Sequence, residues 1–137
     1  MKNVLFFLTP KAMCAFLYDD YTIRQALEKM EAAGYAGLPI LNRRGEYCGT
    51  LREGDILWAM KNMCNMDMRQ AELRHIMDIP HRKDNVPVPV TTPMEDLVDT
   101  AINQNFVPVV DDKDAFIGIV TRRGIIKYCQ EKALVAE

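Results

Sequence analysis

Several things are scarce in this chain of 137 residues, and each scarcity closes a class of function. Positive charge is not in excess: 17 Lys and Arg face 19 Asp and Glu, for a net charge of −2. A general nucleic-acid binder would normally carry a basic face, so none is expected here. Histidine is limited to His75 and His81, and no cysteine or carboxylate stands at metal-ligand spacing from them. No Ser-His-Asp or Cys-His arrangement and no P-loop is present, so the sequence offers no catalytic constellation. The four cysteines, Cys14, Cys48, Cys64 and Cys129, are scattered without a C-x-x-C pair. They read as reduced core thiols, with a disulfide or metal role as the alternative. The apolar run Val4-Leu5-Phe6-Phe7-Leu8 is followed at once by Pro10 and Lys11. That is too short for a signal segment or a membrane span, so a soluble cytoplasmic protein is expected.

What the chain does have is a statement made twice. Leu38-Pro39-Ile40-Leu41, a turn, and Gly49-Thr50-Leu51-Arg52-Glu53-Gly54-Asp55 precede Val107-Pro108-Val109-Val110, a turn, and Gly118-Ile119-Val120-Thr121-Arg122-Arg123-Gly124. Pro39 and Pro108 are 69 residues apart, and so are Gly49 and Gly118. Two anchors with one offset argue for a duplicated unit, whose copies stack and leave clefts between them. With 49% hydrophobic residues there is enough apolar side chain for a core.

In the first copy Met13 to Leu17 reads as a strand. Thr22 reads as the N-cap of a helix carrying Ile23, Ala26, Leu27 and Met30, which Gly34 stops. Leu38 to Leu41, the turn Arg43-Arg44-Gly45-Glu46 and Tyr47 to Leu51 form a strand hairpin. A second helix begins at Glu53 or Gly54 with Ile56, Leu57, Met60 and Met63 on its apolar side. The second copy repeats the plan. Val86 to Val90 is extended, and Thr92-Pro93 reads as a capped start with proline at the first helical position. Leu97, Val98, Ala101 and Ile102 make the stripe. Val107 to Val110 and Phe116 to Val120 form the hairpin, and Ile125, Ile126 and Tyr128 the buried side of the last helix. The second copy has lost about two residues between its first helix and its Pro strand. Between the copies lie the methionines Met60, Met63, Met66 and Met68, a helix Met68 to Met77 and a turn from Ile79 to Asp84. Such methionines usually form adaptable core or a partner-facing surface.

A β-α-β-β-α unit with a proline-led strand and Gly-h-h-(Thr/Ser)-x-x-(Asp/Gly) at its strand-to-helix junction resembles the CBS domain. Two in tandem look like a CBS pair, or Bateman module. The resemblance implies an α/β (α+β) fold with pseudo-twofold symmetry: repeat one at 8–67, a linker helix and turn at 68–85, and repeat two at 86–132. It also implies a stand-alone, non-enzymatic regulator that holds an adenine nucleotide in the cleft between its repeats, forms a homodimer and signals to a partner protein. No metal and no other cofactor are expected. The runs Gly34-Tyr35-Ala36-Gly37-Leu38-Pro39 and Thr121-Arg122-Arg123 are similar to small bacterial CBS-pair receptors for cyclic di-AMP. That likeness places phosphate on Arg122 and Arg123, and adenine and ribose near Ala36, Met13 and Ala15. The subgroup has lysine where this chain has Met13 and threonine where it has Ala36.

The second motif is the better equipped for such a ligand. The Thr121 hydroxyl can cap the helix or bond a ribose or phosphate. The helix N-terminus favours phosphate oxygens, and two guanidinium forks can grip them. Gly124 leaves a ligand room to approach. Arginine is the wrong sign for a helix N-terminus, so Arg122 and Arg123 call for an anion or a carboxylate partner. In the first motif Asp55 could accept ribose hydroxyls, or Arg52 could pair with Asp55 or Glu53 and close the cleft. Tyr35, Ala36 and Gly37 could line a cleft for the base, as could Asn105, Phe106 and Val107, or Tyr35 and Phe106 could be plain core. One occupied cleft rather than two is expected. The reading from another class is a ligand-independent interaction or dimerisation module.

Overall fold

A computed structural model describes residues 3–62, 68–80 and 85–136, the side chains of 68, 135 and 136 excepted. Met63, Cys64, Met66, His81 and the turn over 81–84 lie outside the described residues. The chain divides into two compact units. The repeat-one unit is Ala15–Asp84, and the repeat-two unit is Met1–Cys14 with Asn85–Glu137.

The repeat-one unit has a three-stranded sheet in the order β2-β3-β4, with β2 Leu17–Tyr18, β3 Gly37–Leu41 and β4 Tyr47–Arg52 (β1, Thr9–Pro10, belongs to the other unit). β2 and β3 are parallel, so the chain must cross over between them, and it does so through α1 Ile23–Ala33. α1 forms where the spacing predicts. Thr22 accepts the Gln25 N–H at 3.2 Å while Gln25 Oε1 accepts the Thr22 N–H at 2.9 Å, a reciprocal capping box. Gly34 closes the helix in the left-handed region at φ 73°. β3 and β4 form the hairpin, and α2 Glu53–Asn62 follows directly. Leu17, Ile23, Ala26, Leu38, Ile40, Leu51 and Ile56 close the core. Burying each large aliphatic contributes roughly 1.5–3 kcal/mol.

The repeat-two unit repeats the hairpin, with β6 Phe106–Val110 against β7 Phe116–Thr121 and β5 Val88–Pro89 parallel to β6. The duplication extends to irregularities. Both hairpins slip register at equivalent places, Ile40/Leu41 and Val109/Val110. Gly49 and Gly118 share nearly the same backbone angle, φ 156° and 154°. Glu53 N–H bonds the Ala36 carbonyl at 2.8 Å, as Arg122 N–H bonds Asn105 at 2.9 Å.

Several expectations are corrected. Met13 to Leu17 is not a strand: Lys11–Met13 is a 3-10 turn and only Leu17–Tyr18 pairs. The segment from residue 8, expected to open repeat one, instead gives β1 Thr9–Pro10, which pairs antiparallel with β7. It is held there because Val4 is fully buried in the repeat-two core and Phe7 meets the Tyr128 ring edge-on at 5.8 Å. The expected linker is divided as well. α3 Met68–Leu73 packs on α1, and Ile76 and Ile79 join the repeat-one core, whereas Asn85 is buried in the repeat-two unit. The helix expected from Met68 to Met77 ends at Leu73, with a 3-10 turn at Ile76–Asp78.

Thr92 is not a helix cap. Its carbonyl accepts the Val4 N–H at 3.1 Å, and a 3-10 turn Met94–Leu97 starts after Pro93 with no side-chain cap. Only α4 Thr100–Asn103 is helical in that crossover, whose Asp and Thr residues are weak helix formers. Three apolar stripes prove narrower than their sequence suggests. Ile56 and Ala59 are buried, but Leu57 and Met60 are exposed; Ile125 and Tyr128 are buried, but Ile126 is exposed; Leu97 is buried, but Val98 and Ile102 are exposed. A helix packed on a small sheet covers only one stripe, and neighbours in sequence lie about 100° around the helix from each other.

Candidate functional site

The second motif is assembled within the repeat-two unit. β6 and β7 run side by side with Phe106 opposite Thr121 and Val107 opposite Val120, and α5 Arg122–Ala136 starts at the end of β7. Phe106 and Val107 are both buried. They are wall and core at that strand end rather than an open face for a base. Thr121 Oγ1 accepts the Gly124 N–H at 3.0 Å, so the hydroxyl caps the helix and still has a proton to donate and a second lone pair. A methyl at Gly124 would lie 3.4 Å from that hydroxyl oxygen, an ordinary van der Waals contact, so the cap does not itself require glycine there.

Arg122 and Arg123 are both exposed on the first turn of α5. Arg122 Nε donates to the Ala101 carbonyl at 2.8 Å, which steers its guanidinium across α4. Among the described residues neither arginine has a carboxylate within ion-pair distance. Two cations thus stand at the positive end of a 15-residue helix with no carboxylate partner among the described residues. The arrangement suits phosphate oxygens: a helix end, a hydroxyl and two forks. Met13 is on the 3-10 turn that packs on β7, with its side chain largely exposed.

The remaining candidates are in the repeat-one unit. Ala15 is half-buried against the core, and Gly37 opens β3, where a methyl would come 3.2 Å from Arg52 Cγ. Ala36 is exposed and gives its carbonyl to Glu53 N–H. Asp55 is 1% exposed and accepts the Arg52 backbone N–H at 2.9 Å. The carboxylate therefore serves the first turn of α2 rather than standing open to a ribose. Tyr35 is exposed, not core, and lines a surface cavity of about 580 Å³ with Arg24, Glu28, Glu31 and Glu53. Arg24 is already paired with Glu28 and Glu72, so this cavity is acid-rimmed and unsuited to an anion.

Two participants were not readable beforehand. Asn85 and Gln104 are buried amides that meet at Phe106, beneath the second motif. The first sits in the expected linker and the second before a strand, where polar residues ordinarily signal only loop. Among the described residues no cluster of His, Cys, Asp or Glu is arranged to hold a metal, and no helix is long and apolar enough to cross a membrane.

Solved structures share this architecture. CbpB of Listeria monocytogenes, in complex with c-di-AMP, superposes with a TM-score of 0.79 at 20% identity, over 96% of this chain and 98% of that one. A CBS domain protein of Streptococcus pneumoniae gives 0.80 at 24%, over 97% and 88%. CBSX2, a CBS-pair protein of Arabidopsis thaliana, in complex with AMP, gives 0.74 at 22%, over 97% and 99%. At these identities the likeness establishes the fold. No curated protein matches the chain. The family profile of the CBS domain matches twice, over residues 11–62 and 73–131, in agreement with the duplicated hairpins and helices. The chain belongs to the CBS domain family, with two repeats.

Proposed function

We propose that this protein is a non-enzymatic regulator that binds an adenine nucleotide at the second motif and signals its presence to a partner protein. The observation that carries the reading is the N-terminus of α5, where Thr121 caps the helix and Arg122 and Arg123 lack a carboxylate partner among the described residues. Two structural relatives with the same fold hold c-di-AMP and AMP, which supports an adenine nucleotide as the class of ligand. Ligand phosphate would take the anion position at the helix end, with Arg123 and Arg122 as its forks and Thr121 as a further hydroxyl contact. The signal follows from linkage: a ligand shifts the protein only by the difference in its affinity for two conformations. We place the reading surface on a homodimer, in which neutralising the two arginines changes what a partner meets.

The test is calorimetric titration of nucleotide-free protein with AMP, ATP and cyclic di-AMP. One of them is expected to bind at micromolar concentration, and Arg122→Ala with Arg123→Ala to weaken it by ~10–100-fold, the worth of lost charge-assisted hydrogen bonds. A double variant that binds as the wild type does would overturn the assignment of the site.

A second reading is a ligand-independent interaction module, favoured by Leu57, Trp58 and Met60 exposed together on α2. Adenine absorbance released on denaturing the freshly purified protein would count against it; failure of all three nucleotides to bind would favour it.

A further inference from the structure

Two buried primary amides converge on one backbone carbonyl at the foot of the second motif. Asn85 Nδ2 donates to the Phe106 carbonyl at 2.7 Å, and Gln104 Nε2 donates to the same oxygen at 3.2 Å. Gln104 Oε1 accepts the Val86 N–H at 3.0 Å, which ties the two segments together. Both side chains are buried, Asn85 at 2% and Gln104 at 6% exposure.

The strand register explains why this carbonyl needs them. Arg122 N–H bonds the Asn105 carbonyl across the hairpin, so positions 105, 107 and 109 face β7, and 106, 108 and 110 face the other way, toward β5. The Val90 N–H on the Val110 carbonyl shows that side in use. β5 is only Val88–Pro89, opposite Val109 and Val110, so Phe106 lies beyond its end. A buried carbonyl left without a donor costs roughly 1–3 kcal/mol. The two amides replace the missing strand.

Among the described residues no such pair of amides stands at the equivalent positions of the first repeat. Aligning Leu17 with Val88, and Ile40 with Val109, puts Cys14 and Tyr35 at the positions of Asn85 and Gln104. The Cys14 sulfur instead lies 3.4 Å from the Thr9 and Pro10 carbonyls, and Tyr35 is exposed. The duplication is therefore asymmetric at the start of β6, which pairs with the end of β7 where the second motif begins.

We propose that Asn85 and Gln104 are positioning residues for nucleotide binding at the second motif. They pin the start of β6; that fixes the Asn105 carbonyl, which holds the Arg122 amide and sets the first turn of α5 with its Thr121 cap. Both amides are buried and spent on the Phe106 carbonyl, so their role is exerted through the backbone. This role rests on the nucleotide reading above.

The experiment compares Asn85→Leu and Gln104→Met, which keep volume and remove the amides, with Val109→Ala, a core change in the same unit. Three quantities are read at a temperature where each variant is folded: Tm, calorimetric Kd for whichever of AMP, ATP and cyclic di-AMP the wild type binds, and hydrogen exchange of the Arg122 amide. The amide variants are expected to raise Kd by about 10-fold and to speed Arg122 exchange by a similar factor. Val109→Ala is expected to lower Tm comparably while leaving Kd and Arg122 exchange within about 2-fold of wild type. An unchanged Kd in the amide variants overturns the proposal. So does unchanged Arg122 exchange, or an equal loss of affinity in Val109→Ala. If the wild type binds none of the three, the nucleotide reading falls and this role falls with it. Exchange at Arg122 then still reports separately whether the amides order the helix start.

Discussion

Placing a single methyl on Gly118 tests how the N-terminal strand is held. At Gly118 the chain has φ 154°, and an added Cβ would sit 2.2 Å from the Thr9 carbonyl oxygen, 3.0 Å from Leu8 Cδ1 and 3.1 Å from Pro10 Cα. The first and last of these are backbone, so no rotamer change relieves them. Gly118→Ala must therefore strain its own backbone, at roughly 1–3 kcal/mol, and push β1 off β7, at roughly 0.5–1.5 kcal/mol for each hydrogen bond lost. The expected total is about 2–4 kcal/mol. Gly34 supplies the internal comparison, because it also has positive φ, 73°, but nothing lies within 4 Å of its added Cβ. Gly34→Ala should cost only the conformational term, roughly 1–2 kcal/mol. In urea, monitored by circular dichroism, the Gly118 variant should lose about 1–2 M of midpoint, for a slope of roughly 2 kcal/mol per molar, and the Gly34 variant clearly less. Equal losses in the two variants, or β1 amides still protected from exchange in Gly118→Ala, would refute the claim that close backbone approach dictates glycine here.

Other consequences can be checked in the same preparations. Thr121→Ala removes the Gly124 cap and should cost about 1 kcal/mol by urea melting, with Thr121→Ser restoring it; on the proposed function the alanine variant also weakens nucleotide binding. The Arg43 guanidinium, hydrogen-bonded to Asp20 at 2.8 and 2.9 Å, holds that carboxyl below its usual range. A lowered folded-state value means the pair stabilises above the ordinary Asp range and loses that contribution as pH falls through the folded value. Arg43→Ala should therefore move Asp20 upward in an NMR titration and flatten that part of the acid-stability curve. Burial pushes the Cys14 and Cys48 thiols up, while Cys129 is exposed. Iodoacetamide near pH 7.5 should thus label Cys129 ahead of the other two, as read by mass spectrometry of peptides.

Much of the fold was legible because duplicated local signals reinforce one another. Thr22, Gln25 and Gly34 bound α1 through contacts among near neighbours, and the proline-led hairpins carry their turns and alternation within about fifteen residues. Thr121 was readable as a cap on the same ground. The failures share the opposite character. Thr92 looks like a cap until Val4, far away in sequence, takes its carbonyl. Leu57, Ile102 and Ile126 look buried until the narrow sheets leave them outside. Asp55 looks available until the first turn of α2 claims it.

What the sequence determined by itself is the pair of β-α-β-β-α repeats and the chemistry gathered at Thr121, Arg122 and Arg123, since periodicity, caps and turns act over a few residues. The tertiary structure decided which unit the first fourteen residues join, that Asp55 is buried in the first turn of α2, and that Asn85 and Gln104 support the second motif. Those outcomes depend on which distant carbonyl a strand end leaves without a partner and which group lies within reach of it. Local pattern carries no record of either.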